Sequence, residues 1–104
     1  MVFNRLLLKL RLQACSIPNY AVLLLQNLFT LNELLDPRYN VTGRQCRGAR
    51  GPQPIPLDVD RISFIRENVV SYVQGDEEHK DHMWTMCRYA MSRKFSNLRL
   101  IHKF

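Results

Sequence analysis

A chain of 104 residues has room for one hydrophobic core and not for two. With 46% hydrophobic and 23% charged residues, the composition is that of a globular domain and excludes a disordered chain. Fifteen Lys and Arg against nine Asp and Glu leave a net charge of +6, so the expected partner is anionic: nucleic acid, an acidic membrane surface or an acidic protein.

Residues 1–15 read as an N-terminal extension. Leu6, Leu8, Leu10 and Leu12 alternate with Leu7, Lys9, Arg11 and Gln13. That period of two predicts a short half-buried strand. Lys9 and Arg11 interrupt the apolar stretch that a secretory signal needs, whereas a basic, acid-free leader of the mitochondrial kind remains compatible with these residues. No stretch approaches the ~20 apolar residues of a membrane span.

The first predicted helix starts near Pro18, with Ser16 as a cap, and runs through Tyr20–Phe29. It is apolar on nearly every side, which marks a buried, central helix. Thr30 and Glu33 form a T-x-x-E capping box for a short second helix through Leu31, Leu34 and Leu35, and Pro37 closes it. Residues 38–56 are a long loop, because Asn40, Gly43, Gly48, Gly51, Pro52, Pro54 and Pro56 break regular structure. Loops of this length are either functional or mobile.

Asp58 caps the third helix, with Leu57 and Ile62 as a hydrophobic staple. Ile62, Ile65, Val69, Tyr72 and Val73 form its apolar stripe, Phe64 on the far side is expected to be covered, and Gly75 supplies the stop. The closing helix begins in the acidic block Asp76, Glu77 and Glu78, which complements its positive end. Met83, Trp84, Cys87, Ala90, Met91 and Phe95 share its apolar face, while Thr85, Arg88, Tyr89, Ser92, Ser96 and Arg99 crowd the other. Lys94 falls on the apolar side, where the helix is expected to weaken.

Charge is unevenly placed. Between Asp36 and Asp58 the charged side chains are Arg38, Arg44, Arg47 and Arg50, and no acid follows Asp81. Hydroxyls interleaved with arginines suit phosphate oxygens and base edges; a solvated helix face is the plainer account of the same pattern. Cys15, Cys46 and Cys87 are odd in number and lack paired spacing, which argues against a disulfide framework and suits a reducing compartment, and Cys87 reads as a small core hydrophobe. His79, His82 and Cys87 are too few for a structural zinc site, which wants four ligands. No phosphate-cradling glycine loop or nucleophile elbow is present, so an enzyme is not expected.

Taken together these landmarks resemble the BEN domain family. Leu24–Leu34 is similar to that family's leucine-rich helix ending in LF-x-x-x-EL, and Asn40-Val41-Thr42-Gly43 is similar to its N-x-T-G turn. Leu57-Asp58 leading into Ile62, Ile65 and Val69-Val70 resembles the next family helix. Trp84-Thr85-Met86-Cys87, then Arg93, Lys94, Leu98 and Arg99, looks like the closing helix and its basic end. The likeness spans residues 20–100; the family's N-terminal part is usually longer, so a helix is missing or replaced by residues 1–15.

The resemblance implies an all-α fold, a compact bundle of four to five helices over residues 16–104 with a long basic Gly/Pro-rich loop. It implies sequence-preferring binding of double-stranded DNA in transcriptional regulation or chromatin repression in the nucleus. Carried over by position, Arg88, Tyr89, Ser92, Arg93 and Ser96 would face the major groove, and Arg99 and Lys103 would sit over phosphates. Arg44, Arg47 and Arg50 of the loop would touch backbone or minor groove. The alternative is a protein-interaction adaptor that docks chromatin or co-repressor proteins, or a second copy of itself, through Phe64, Tyr72 or the leucine-rich N-terminus. Neither reading calls for a cofactor, a metal or a membrane.

Overall fold

The computed structural model describes residues 2–44, 48 and 51–102. Five helices, α1 (Val2–Gln13), α2 (Ile17–Leu28), α3 (Leu31–Leu35), α4 (Val59–Val70) and α5 (Glu77–His102), form a mostly helical bundle. Two two-residue strands, β1 (Tyr39–Asn40) and β2 (Ile55–Pro56), join the loop's ends. No helix among the described residues is long and apolar enough to cross a membrane.

The N-terminal residues differ from expectation: they form a helix and not a strand. Residues 6–8 are all leucine, so the run satisfies a period of 3.6 as well as a period of two, and leucine favours helix. Leu6, Leu7, Leu10 and Ala14 turn toward the core, while Leu8 and Leu12 are exposed. Leu10 is buried in the same cluster as Tyr20 and Leu24, so the boundary drawn at residue 15 separates two helices that share one core.

Local capping chemistry sets the next three helix starts. Ser16 Oγ accepts from the Asn19 amide at 3.1 Å, opening α2. In the capping box of α3, Thr30 Oγ1 accepts from the Glu33 amide at 3.2 Å while the Thr30 amide donates to Glu33 Oε1 at 2.9 Å. Asp58 Oδ1 accepts from the Asp60 amide at 3.0 Å and begins α4. Each bond satisfies an amide that the first helical turn leaves without a partner.

The fourth helix stops at Val70, earlier than Gly75 suggested. Gly75 has φ +127 and lies in the turn before α5, where a Cβ would stand 3.0 Å from the His79 ring. Tyr72 therefore sits beyond the helix: half-exposed, its ring packs edge-on against Tyr20 at 5.7 Å and beneath the Arg11 guanidinium at 4.8 Å. Phe64 is partly covered. Lys94 does not weaken α5, which continues to His102 with the lysine half-buried.

Helix α2 is the centre of the bundle, with Tyr20, Ala21, Leu24 and Leu25 essentially inaccessible and packing against α1, α4 and α5. Tyr20 and Tyr72 meet at one end of the molecule. Near the other end Arg61 of α4 ties three segments together. Its guanidinium donates to Glu33 Oε1 at 3.0 Å, Glu33 Oε2 at 2.6 Å, the Leu28 carbonyl at 3.0 Å and Asp58 Oδ2 at 2.9 Å, and it lies 4.0 Å from the centre of the Phe29 ring. The end of α2, the capping box of α3 and the cap of α4 are thereby fixed to one planar cation.

Two predictions follow from these packing details. The Tyr20 hydroxyl is buried and has no hydrogen-bond partner among the described residues. Removing a buried polar group that lacks a partner relieves a desolvation penalty of about 1–3 kcal/mol, so Tyr20→Phe is expected to leave urea-unfolding stability unchanged or raise it. The second concerns acid. The Arg61 hydrogen bonds, aided by the Thr30 amide, hold the Glu33 carboxyl down from its ordinary 4.5 to about 2. A depressed native pKa contributes stability that is complete above about 4.5 and is lost as pH falls toward 2. Glu33→Gln keeps an acceptor for the capping box but removes the charge, so its stability should fall less steeply than wild type between those pH values in acid-unfolding titrations.

Candidate nucleic-acid interface

Helix α5 presents two sides. Trp84, Cys87, Met91 and Phe95, spaced three and four residues apart, are buried, with Met83, Ala90 and Leu98 half-buried beside them. Burial pushes the Cys87 thiol up to about 11, so it is a packed hydrophobe and not a reactive thiol. On the other side Met86, Tyr89, Ser92, Arg93 and Ser96 are exposed, Tyr89 by 67%. His79 and His82 are exposed while Cys87 faces the core, and no three metal-ligating side chains converge among the described residues.

The two remaining arginines of α5 lie at the edge between these sides. Arg88 is half-buried; its Nη2 donates to Thr85 Oγ1 at 3.2 Å, and its Nε is buried without a hydrogen-bond partner among the described residues. Arg99 departs from the phosphate-contact role expected of it. Its Nε donates to the Leu34 carbonyl at 3.3 Å, and its Nη2 donates to the Asp36 carbonyl at 2.7 Å and the Tyr39 carbonyl at 2.6 Å. The guanidinium also lies 5.0 Å from the Phe95 ring centre. Burial lowers its pKa, yet an arginine remains charged at neutral pH.

That clamp fixes the base of the arginine loop beside the C-terminal half of α5. Strands β1 and β2 run parallel, with the Ile55 amide donating to the Arg38 carbonyl at 2.8 Å and the Leu57 amide to the Asn40 carbonyl at 2.9 Å. The N-x-T-G turn is built around Asn40: its Oδ1 accepts from the Gly43 amide at 2.5 Å and its Nδ2 donates to the Arg44 carbonyl at 2.9 Å. Gly43 has φ +74, and a Cβ there would stand 2.8 Å from Pro56 Cδ. Glycine is required by both conformation and space. Val41 buries its side chain, Gln53 Nε2 donates to the Gly43 carbonyl at 3.2 Å, and the exposed Arg44 side chain projects from a pinned backbone.

Among the described residues the ion pairs involve Arg38, Arg61, Arg66 and Lys80. Arg38 hydrogen-bonds to Asp36 and holds that carboxyl down to about 2, leaving Asp36 ionised and its charge matched. Arg44, Arg93 and Lys94 take part in none of these pairs. Arg44, Arg88, Tyr89, Ser92, Arg93 and Ser96 thus retain surface to meet a partner, to differing degrees. Arg47, Arg50 and Lys103 lie outside the described residues.

Arg61 and Arg99 were not singled out as structural from sequence. A spacing of three from Asp58 hints at the first; the second had no local signal, because its acceptors are backbone carbonyls of distant residues. No protein-family model, curated protein or solved structure matches the chain.

Arg99→Ala would leave three carbonyls without their donor. It is expected to cost about 2 kcal/mol, since hydrogen bonds from charged groups contribute about 1.5–3 kcal/mol. Lysine, a single point charge, should restore only part of this. Hydrogen exchange would localise the effect: the Ile55 and Leu57 amides should lose protection more than those of α2.

Proposed function

We propose that this chain binds double-stranded DNA with sequence preference, as a nuclear module of transcriptional regulation or chromatin repression. The outer side of α5 enters the major groove, with Tyr89, Ser92, Arg93 and Ser96 toward the bases and Arg88 at the edge. The arginine loop, Arg44 foremost among its described residues, meets backbone or minor groove. The observation that carries this reading is the Arg99 clamp, which tethers the base of one acid-free segment to the other. The acids near them, Asp36, Glu33 and Asp58, are matched by Arg38 and Arg61, so a polyanion meets little uncompensated negative charge there. The BEN resemblance, with its Asn40–Gly43 turn and basic closing helix, points the same way.

A protein-interaction adaptor is the second reading, favoured by the exposed Leu8 and Leu12 of α1. Of the other two surfaces suited to it, Phe64 is partly covered and Tyr72 is partly occupied by Arg11 and Tyr20.

Fluorescence anisotropy with duplex DNA at several salt concentrations tests the proposal. Phosphate contacts from the arginine loop should make log K fall as log salt rises, by about 0.9 for each phosphate neutralised. Combined Arg88→Ala and Arg93→Ala should reduce affinity at least tenfold, while Arg66→Ala, at an exposed pair with Asp81, should not. Affinity without a salt slope, or indifference to the double substitution, would refute the assignment.

A further inference from the structure

The exposed side of α5 is not uniformly polar. Met86 is 44% exposed and Tyr89 67% exposed, one turn apart on the same stripe, and Arg93 follows one turn later. Resting on the DNA-binding reading above, we propose that Met86 and Tyr89 read thymine through its C5-methyl group, and that Arg93 reads a purine of the same site.

Three observations support the assignment. Met86 and the ring of Tyr89 gain nothing from phosphate oxygens, which only the Tyr89 hydroxyl can meet, and the thymine methyl is the apolar feature that the major groove offers. The alternative use of this patch, docking an apolar protein surface, would strip water from Arg93, which takes part in none of the ion pairs among the described residues. A polyanion supplies a partner directly. Finally, α5 is anchored by Trp84, Cys87 and Met91 on its opposite side, so Met86 and Tyr89 are held in place rather than free to fold inward.

The spacing gives the proposal a geometry. Tyr89 and Arg93 are separated by a rise of about 6 Å along the helix, against roughly 3.4 Å per base-pair step. The thymine and the purine should therefore lie about two steps apart. Arginine donates two hydrogen bonds to guanine O6 and N7, making guanine the favoured purine.

Duplexes enriched by the protein from a random-sequence pool would be resynthesised with uracil in place of thymine, which removes the methyl and leaves the pairing edge intact. Burial of one methyl-sized group predicts about fourfold weaker binding for each contacted thymine. Met86→Ala with Tyr89→Ala, both at exposed positions, should bring the ratio of thymine-duplex to uracil-duplex affinity to one, whatever the fall in overall affinity. Equal affinity of wild type for the two duplexes overturns the inference and leaves DNA binding standing. Absence of binding to any duplex in the pool removes both.

Discussion

A single guanidinium ties the base of the basic loop to α5. Arg99 reaches back 65 positions to the Leu34 carbonyl and 60 to that of Tyr39, collecting three acceptors that belong to the end of α3 and the start of the loop. A five-residue helix has more unpaired carbonyls at its C-terminus than it can satisfy itself. Arginine suits the task because its donors form a rigid fork, so several acceptors are held for the loss of few rotamers. Desolvation works against the charge, as its lowered pKa records, and the three carbonyls offset that cost.

The same division of labour runs through the molecule. A net charge of +6 overstates what a partner can reach, because Arg61 and Arg99 serve the fold and Arg11 is stacked on Tyr72. Position around the helix decides the role. On α5 the buried stripe is flanked by Arg88, which hydrogen-bonds to Thr85 of its own helix, and by Arg99, which bonds to carbonyls of distant segments, whereas Arg93 lies opposite the buried stripe and stays in solvent. An arginine's function here follows from its angle to the core more than from its neighbours in sequence.

That distinction explains which parts of the structure sequence reasoning could reach. Ser16, the Thr30–Glu33 box and Asp58 act within three residues of themselves, so their patterns are local and the helices they start lie where expected. The buried stripe of α5 follows from periodicity alone. The N-terminal leucines mislead because a run of three identical residues carries no phase, and leucine's helix preference together with packing in the shared core favours helix over strand. Gly75 was assigned the stop of α4, but its left-handed conformation serves the approach to His79 instead. Of the residues that periodicity puts on the open side of α5, Tyr89, Ser92 and Ser96 are exposed while Thr85, Arg88 and Arg99 are half-buried; the exposed Arg93 is placed there by the resemblance alone. Arg99 was placed over phosphates because its acceptors lie in another part of the chain, beyond the reach of any local pattern.

Pre-organisation is the final consequence of these contacts. Ordering a long loop on binding costs free energy for every residue immobilised. Here the ends are already paired as β1 and β2, Asn40 has closed the first turn, and Arg99 has joined the loop's base to α5. The helix itself is held by Trp84, Cys87, Met91 and Phe95 along one side. A partner that meets Arg44 and Arg93 together therefore engages two segments whose spacing the fold has set beforehand. Specificity needs this, because arginines on independently moving segments would adapt to any polyanion, whereas arginines at a fixed separation favour the one that matches it.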